Sequence, residues 1–273
     1  MIRAATLTRL ASLCLAAHVS SARAEIGGEL DLSSLVLSFE DRFADLHVTP
    51  QGPGGPWVSH TPWHGDFGDA RFGDPGSDSP FSFAAGALQI EAKKEADGRW
   101  RAGLLASVDP DGRGFSQRYG YFEMHAKLPE GRGLWPAFWL STYVPPGSPD
   151  PSVEVDVMEH YGAFPAAFQS VVTVWPKTAA EKARSERKIH SVPAGLLSTG
   201  FHDYGALIDP HWIVIYFDRR EVWRAPTPPE LTHKFMILFD LALGGGWPID
   251  KTPSPSVMQV EYIRAYRIAG VPE

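Results

Sequence analysis

The sequence predicts an all-β protein, built as a sandwich or barrel of short strands. Glycine and proline, at 26 and 24 of the 273 residues, recur along the whole chain and indicate many turns. Apolar and polar residues alternate over short runs, as they do in strands that bury one face. Helical composition is confined to one short segment. These features favour two packed sheets or a closed barrel.

Four alternating runs are predicted to be strands, and turn-forming sequences separate them. The predicted strands are Ala87–Ala92, Gly120–Ala126, Trp212–Phe217 and Gln259–Tyr266. The short sequence Asp218-Arg219-Arg220 predicts a hairpin that joins the third of these strands to Glu221-Val222-Trp223.

Two segments do not fit the strand pattern. Thr178–Ile189 is rich in Glu, Lys and Arg but has almost no apolar stripe, which predicts a solvated loop or a short exposed helix. Residues 50–80 are rich in Gly, Pro, Asp and Ser. They predict a long surface loop that carries the aromatic residues Trp57 and Trp63.

The beginning of the chain has the features of an export signal. Basic residues precede the apolar stretch Leu10–Val19, and Ala22-Arg23-Ala24 provides a small-residue cleavage site. We therefore expect residues 1–24 to be a signal peptide and residues 25–273 to form a single domain. The mature protein is expected to be secreted or periplasmic.

The composition argues against several kinds of partner. The net charge is -7, whereas proteins that bind nucleic acid concentrate positive charge, so no nucleic-acid partner is expected. No stretch of about 20 apolar residues follows the signal, so we expect no membrane association after its cleavage. The single cysteine, Cys14, lies within the signal, so the mature chain has no disulfide. We expect a monomer.

The segment Val153–His160 carries the most informative pattern. Valines alternate with Glu154 and Asp156, so a regular strand would place both acids on one face. Glu159 would then point to the opposite face. A one-residue bulge near Val157-Met158 would return Glu159 to the acidic face.

Three acids on one face repel each other and are costly to desolvate, so stability alone would not select them. A retaining glycosidase needs two carboxyl groups about 5–5.5 Å apart, one as nucleophile and one as acid/base. Asp156 could hold Glu154 in place and raise the proton affinity of Glu159. The alternative is a solvent-facing edge strand with ordinary acidic residues.

Further motifs surround this strand in a fixed order. They are Tyr119–Met124, Gly133–Leu140, Phe201–Gly205, Leu241–Pro248 and Val260–Tyr266. Together with the central run Glu154–Glu159, they resemble the sequence blocks of glycoside hydrolase family 16. Within this family, the run Phe115–Met124 is most similar to the branch of laminarinases and exopolysaccharide endoglycanases. The resemblance extends over nearly the whole mature chain, from about Phe39 to Tyr266.

The resemblance implies a fold and an activity. The fold is a concanavalin-like β-jelly-roll, a sandwich of two antiparallel sheets with an open concave cleft. The activity is endo-acting, retaining hydrolysis of a polysaccharide substrate, either β-1,3- or mixed-linkage β-glucan or a bacterial exopolysaccharide. Glu154 matches the nucleophile, Asp156 the assisting acid and Glu159 the general acid/base. No cofactor is required, although the family suggests a structural calcium near Glu261, away from the cleft.

Three tryptophans are expected to contact the substrate. Trp135 and Trp139 share strand parity, so both could face the cleft and stack on sugar rings, although either could instead lie in the core. Trp247 follows three glycines, which permit a tight loop beside a ligand but equally a plain turn. The family resemblance favours the cleft for Trp247.

Three positions depart from the family pattern. Thr173 stands where a histidine is common, Leu207-Ile208 where a Glu-Trp pair is familiar, and Asp240 where an asparagine occurs. These positions bear on the sugar contacts near the cleavage site and on the choice of polymer, and the sequence leaves both open. Two other functions stay open: a non-catalytic carbohydrate-binding jelly roll, and a transglycosylase that uses the same residues.

Overall fold

The computed structural model describes residues 27–271, apart from residues 53, 54, 64 and 179. The predicted signal peptide, residues 1–24, lies outside the described residues. Within the described part of the chain, helix is limited to a 3-10 turn at Leu32–Ser34 and a short helix α1 at Leu196–Thr199. None of the helices in this part has the length and apolar character needed to cross a bilayer. Strands make up the remaining regular structure, which confirms the all-β class.

The strands are numbered in chain order. Their bounds are β1 Leu35–Asp41, β2 Val48–Thr49, β3 Trp57–Val58, β4 Arg71–Phe72, β5 Phe81–Ala84, β6 Ala87–Lys94, β7 Trp100–Ala106, β8 Gly120–Lys127, β9 Leu134–Thr142, β10 Ser152–Glu159, β11 Ala167–Trp175, β12 Arg184–Ser191, β13 His202–Ile208, β14 Trp212–Phe217, β15 Arg220–Pro226, β16 Phe235–Leu243 and β17 Ser256–Ile268. The four strands predicted from alternating runs are present as β6, β8, β14 and β17.

The strands form two antiparallel layers. In the first, which we call the cleft sheet, the order is β12-β11-β10-β9-β16-β7, with the short β3 beyond β7. In the second, the outer sheet, the order is β15-β14-β13-β8-β17, and β17 then pairs with both β6 and β1. The β6–β7 hairpin links the two layers. The predicted sandwich of two antiparallel sheets is confirmed.

The hydrophobic core lies between the two sheets. Cross-strand partners on the cleft sheet, Ile237, Leu140, Val155 and Val172, form one continuous buried row. The outer sheet contributes buried residues such as Phe122 to the same cluster. Because side chains alternate along each strand, the neighbouring rows of the cleft sheet must face away from the core. Those outward rows form the concave face.

The predicted hairpin between β14 and β15 is confirmed. Phe217 pairs with Arg220, which leaves Asp218 and Arg219 as a two-residue turn, and both have positive φ, 50° and 59°. Two successive positive φ values are the signature of the type I′ turn, which matches the twist of a two-strand ribbon.

The prediction of a loop or short helix over Thr178–Ile189 is partly wrong, because the second half of this segment, residues 184–189, belongs to strand β12. The strand pairs along its length with β11 and forms the edge of the cleft sheet. An edge strand can expose both faces to solvent, so its charges need not alternate with apolar residues. Ile189, for example, is 62% exposed. The absence of an apolar stripe therefore did not exclude a strand here.

The prediction of a surface loop over residues 50–80 is partly wrong. Trp57 in β3 is fully buried, and its indole N–H donates to Asp41 at 2.7 Å. Phe72 in β4 is also buried, whereas Trp63 is exposed. The segment thus anchors itself in the core at two short strands and presents Trp63 from the intervening loop.

A buried ion pair holds the outer face of the outer sheet. The Glu123 carboxylate is fully buried and accepts two hydrogen bonds of 2.9 Å from the guanidinium of Arg219, which reaches across from the β14–β15 turn. The hydroxyl group of Tyr121 donates to the same carboxylate at 2.7 Å, and the hydroxyl oxygen of Tyr262 lies 3.2 Å from it and 2.9 Å from the carboxylate of Asp203. These contacts join β8, the β14–β15 turn and β17.

We predict that Arg219→Ala lowers the free energy of unfolding by about 3 kcal/mol, because it leaves the Glu123 carboxylate buried without its cation. Urea unfolding followed by tryptophan fluorescence measures the effect. Arg99→Ala is the control, because its ion pair with Asp97 lies on the surface and should contribute nothing measurable. Equal unfolding midpoints for the two variants would contradict the prediction.

Candidate active site

Strand β10 contains the bulge that its sequence predicts. Asp156 and Met158 pair with consecutive residues of β9, so Val157 is the extra residue. The side chains of Val157 and Met158 are both buried. The insertion therefore returns Glu159 to the outward face that carries Glu154 and Asp156.

The three acids Glu154, Asp156 and Glu159 line one cavity of about 260 Å³ on the cleft sheet. A cavity of about 720 Å³ adjoins Glu154, and one of about 390 Å³ adjoins Glu159. The other described residues that line the central cavity are Phe67, Trp135, Ala137, Trp139, Trp175 and Asp240. The acids thus meet within an open face that has room on both sides.

Three hydrogen-bond donors hold the carboxyl group of Glu159. The indole N–H of Trp135 and the hydroxyl of Tyr161 donate to Oε1, each at 3.1 Å, and the amide of Gln169 donates to Oε2 at 2.9 Å. A carboxylate has about four lone-pair sites. One lone-pair site on Oε2 therefore has no donor among these three contacts.

Glu154 and Asp156 lie in surroundings that favour their protonated forms. Burial raises the pKa of Glu154 to about 7, and the negative charge of Glu159 adds to the rise, while hydrogen bonding from the Trp175 side chain opposes it. Burial also raises the pKa of Asp156 well above its usual value, with further contributions from the charges of Glu159, Glu154 and Asp240. The cluster therefore retains protons at pH values where isolated carboxyl groups are ionised.

Asp240 is a fourth carboxyl group in the same cavity. It is fully buried, accepts from the indole N–H of Trp139 at 2.9 Å and accepts from the backbone N–H of Ala242 at 3.1 Å. Burial raises its pKa to about 8, and the charge of Glu159 adds to the rise against these two hydrogen bonds.

The predicted tryptophans occupy three different positions. Trp135 is half-buried, touches Glu159 and stacks on Tyr161 at 5.6 Å between ring centroids. Trp139 is only 6% exposed, and Trp63 and Phe67 cover its ring at 6.0 Å. Trp139 therefore lies beneath the surface of the cleft.

Trp247 is 42% exposed and lines the cavity on the Glu159 side. Its ring meets Phe164 edge-on at 4.8 Å. The preceding turn packs against the site, because a Cβ on Gly245, whose φ is +60°, would lie 2.8 Å from the ring of Trp135. Glycine is needed at this position both for its backbone conformation and for this close approach.

The three departures from the family pattern have different locations. Thr173 pairs directly with Glu154 across the sheet, and its hydroxyl bonds to Ser185 at 2.9 Å. Asp240 lies in the cavity itself. Leu207-Ile208 lies in β13 of the outer sheet, where Leu207 packs near Tyr121 and Ile208 enters the core. This pair therefore lies on the sheet away from the cleft.

The surroundings of Glu261 do not fit the calcium site that the family resemblance suggests. Its carboxylate faces the imidazole of His125 at 3.5 Å, and a histidine ring nitrogen is a poor ligand for calcium, which prefers oxygen. Across residues 27–271, leaving out the four that are not described, no three His, Cys, Asp or Glu side chains are grouped to hold a metal ion.

Sequence reasoning missed three residues that contact the catalytic candidates. Gln169 and Trp175 lie on β11 and share the parity of Thr173, so they face the cleft. Aligning β11 against β10 with the bulge included would have paired Gln169 with Glu159, as the structure does. Tyr161 follows the end of β10 and lacks a strand pattern, so no sequence signal indicated its contact with Glu159.

The chain matches a known family over most of its length. The family described as glycosyl hydrolases family 16 matches residues 76–263. Two proteins of Rhizobium meliloti, each named as an endo-1,3-1,4-beta-glycanase, are 32% identical over 262 residues, which cover 88% of this chain and 53% of each relative. This chain thus spans about half the length of these two relatives. A beta-glucanase of Rhodothermus marinus is 32% identical over 67% of this chain and 68% of its own length.

Solved structures share the fold. The laminarinase catalytic domain of Thermotoga maritima has a TM-score of 0.67 at 22% identity, covering 86% of this chain and 98% of that domain. The laminarinase of Rhodothermus marinus has a TM-score of 0.65 at 26% identity, covering 85% of this chain and 97% of its own. The expected jelly-roll sandwich with a laminarinase-like resemblance is confirmed.

We predict that Asp240→Asn changes how stability depends on pH. Because the pKa of Asp240 is raised to about 8, the folded protein keeps a proton between about pH 4 and about pH 8 that the unfolded chain releases. The stability from this proton is fully present below about pH 4 and is lost as the pH rises to about 8. Relative to Asp240→Asn, the wild type should lose up to about 1.4 kcal/mol per pH unit across this window.

Urea unfolding of both proteins at several pH values tests this prediction. Asparagine cannot accept with both of its terminal atoms, so the variant should also show a pH-independent offset. The pH-dependent difference is the informative quantity. Parallel stability curves would mean that Asp240 is ionised in the folded protein.

Proposed function

Because the chain belongs to glycosyl hydrolases family 16, we propose that it is an endo-acting, retaining β-glycanase with Glu154 as nucleophile and Glu159 as general acid/base. The observation that carries this proposal is the bulge in β10, which brings both carboxyl groups to one cavity. The names of the relatives, endo-1,3-1,4-beta-glycanase and beta-glucanase, support action on a β-glucan.

The proposed reaction is a double displacement, in which a glycosyl ester of the enzyme forms in the first step and is hydrolysed in the second. In the first, the Glu154 carboxylate attacks the anomeric carbon while Glu159 gives its proton to the glycosidic oxygen, so the leaving chain departs as an alcohol and an ester forms on Glu154. In the second, Glu159 takes a proton from water, the resulting nucleophile attacks the same carbon, and Glu154 is released as a carboxylate. Both residues return to their starting states.

The surroundings of the two carboxyl groups bear on these roles. Glu154 is nucleophilic only when it is ionised; burial raises its pKa to about 7, and hydrogen bonding from the Trp175 side chain limits that rise. Glu159 has three fixed donors and one open lone-pair site, an arrangement that suits a group that exchanges a proton in each step. Asp156 lies between them on the same face and lines the same cavity.

We propose that the substrate is a β-1,3- or mixed-linkage β-glucan or a bacterial exopolysaccharide, bound along the concave face by Trp135 and Trp247. The cavities on both sides of the acids suit a chain that continues past the cleavage point in both directions. The signal-like residues 1–24 support export to the periplasm or the medium as a monomeric domain of residues 25–273.

We predict that Glu154→Gln and Glu159→Gln each lower kcat on the polysaccharide by at least about 100-fold, because one removes the nucleophile and the other the proton donor. Folding should be preserved, since each change removes a repulsive charge. Reducing-sugar release from a panel of β-glucans, with mass analysis of the products, measures the effect.

Glu186→Gln is the matched control, because Glu186 lies exposed on the neighbouring edge strand β12. Its activity should equal that of the wild type. Unchanged turnover in both active-site variants would refute the assignment. A wild-type protein that binds glycans and releases no product would instead identify a carbohydrate-binding domain, and lengthened chains would identify a transglycosylase.

We predict that Trp175→Phe shifts the acidic limb of the pH profile of kcat/KM to higher pH. In the wild type, activity should fall as the pH decreases through about 7, because Glu154, whose pKa is raised to about 7, becomes protonated. Removing the indole N–H removes a hydrogen bond that lowers this pKa, so protonation should begin at higher pH. Trp212→Phe, on the outer sheet, should leave the profile unchanged, and an unshifted limb in Trp175→Phe would contradict the prediction.

A further inference from the structure

Ser170 is the single residue of β11 that lies opposite the bulge. Val171 pairs with Asp156 and Gln169 pairs with Glu159, so Ser170 faces two residues of β10, Val157 and Met158. A two-to-one pairing interrupts the regular ladder of backbone hydrogen bonds. The bulge thus depends on local contacts to hold one geometry.

The Ser170 hydroxyl supplies such a contact. Its side chain is fully buried on the core side, and its Oγ lies 2.7 Å from the carbonyl oxygen of Val157, the inserted residue. A carbonyl oxygen can only accept a hydrogen bond, so the single hydroxyl proton of Ser170 must be donated to it. The hydroxyl oxygen is then free to accept a bond from elsewhere.

His190 provides that bond from the edge strand β12. Its Nε2 lies 3.1 Å from the Ser170 Oγ, and since the hydroxyl proton is already used, Nε2 must carry the hydrogen. The ring is buried and stacks on Phe168 at 4.6 Å between centroids. Burial and the nearby charge of Lys188 lower the pKa of His190 to about 4, so the ring stays neutral near pH 7. A fixed chain of hydrogen bonds therefore runs from His190 through Ser170 to the Val157 carbonyl.

These hydrogen bonds lie on the core side of the sheet, next to the strand segment that carries Glu159, the proposed proton donor. Glu159 follows the bulge by two residues, and its Oε2 accepts a hydrogen bond from Gln169, the neighbour of Ser170 on β11. Strand β11 therefore contacts the bulge on the core side of the sheet through Ser170 and the Glu159 carboxyl group on the cleft side through Gln169. Loss of the Ser170 contact would change the direction in which the Glu159 side chain leaves the sheet.

We propose that Ser170 and His190 are positioning residues for proton transfer by Glu159, acting through the carbonyl of the inserted Val157. The proposal rests on the function of Glu159 proposed above. It assigns a role in the reaction to two buried residues that cannot touch a substrate.

The test is Ser170→Ala in the full protein with two substrates. One is the polysaccharide, whose sugar leaving group needs a proton from Glu159, and the other is an aryl β-oligoglucoside that releases 2,4-dinitrophenol, which needs little protonation. We compare kcat/KM, which reports on the step that forms the glycosyl ester. A misplaced catalytic group costs up to about 100-fold, so we expect kcat/KM on the polysaccharide to fall about 10- to 100-fold, with less than about a twofold change on the aryl substrate.

Ser107→Ala is the matched control. Ser107 is equally buried, and its hydroxyl also bonds the backbone, donating to Phe115 and accepting from Ile237 at 2.8 Å each, but it lies away from the bulge. It should lower the melting temperature as Ser170→Ala does while leaving the ratio of the two activities at the wild-type value. His190→Phe, which keeps a ring against Phe168 but loses the N–H, should change the ratio in the same direction as Ser170→Ala.

The outcomes separate this inference from the function on which it rests. Glu159→Gln serves as the reference and should show the largest selective loss on the polysaccharide. If Glu159→Gln loses both activities equally, the proposed function fails. If Glu159→Gln is selective while Ser170→Ala and His190→Phe lose both activities equally, or neither, the positioning role is overturned alone. If Ser170→Ala does not fold, the ratio in His190→Phe decides.

Discussion

The cost of burying several carboxyl groups together in a partly dehydrated cavity is the constraint on which the rest of this structure depends. Glu154, Asp156, Glu159 and Asp240 line the same space, and among the described residues that line it none is Lys, Arg or His. Burying acids without cations is unfavourable unless protons neutralise them. The raised pKa values of Glu154, Asp156 and Asp240 express that requirement. A group of acids that shares protons is also a group that can deliver and recover one.

The two sheets differ in the groups that contact their buried acids. On the outer sheet, the guanidinium of Arg219 neutralises Glu123, and the hydroxyl groups of Tyr121 and Tyr262 lie beside the same carboxylate; these contacts fix three elements together. On the cleft sheet, neutral donors such as Trp135 orient the carboxyl groups without cancelling their charge. A cation in the cleft would stabilise the fold but would also lock the acids in their ionised forms. The separation of the two arrangements lets one sheet hold the fold while the carboxyl groups of the other keep no neighbouring cation.

Much of the architecture follows from local pattern. The alternation in β6, β8, β14 and β17 predicts those strands, and the spacing of Glu154, Asp156 and Glu159 predicts the bulge, because a regular strand would turn Glu159 into the core. The alternation of apolar and polar residues fails to predict a strand where the exposure of that strand differs from that of a half-buried one. Strand β12 lies at an edge and exposes every side chain except that of His190, so its charges indicate a loop or helix. Trp57 lies in a two-residue strand, too short to have a period.

The side-chain contacts of the site are harder to predict from sequence than its acids. Tyr161 approaches Glu159 from an irregular segment, and Ser170 reaches the bulge from the core side of another strand. Both contacts depend on register between strands, which a single sequence does not display. Asp240 illustrates the same limit, because its burial against Trp139 makes it part of the carboxyl cluster, whereas its sequence position suggested only an altered sugar contact.

The exposed charges of β12 have a consequence for self-association. The unpaired backbone N–H and C=O groups of an edge strand can pair with the same edge of another copy. Such pairing would extend the cleft sheet beyond β12. Arg184, Arg187 and Lys188 outnumber the single acid Glu186 on this strand, so two copies brought edge to edge would bring cations together. Strand addition at this rim is thereby disfavoured. On the function proposed above, a long polymer would then pass over β12 without competition from a second protein molecule.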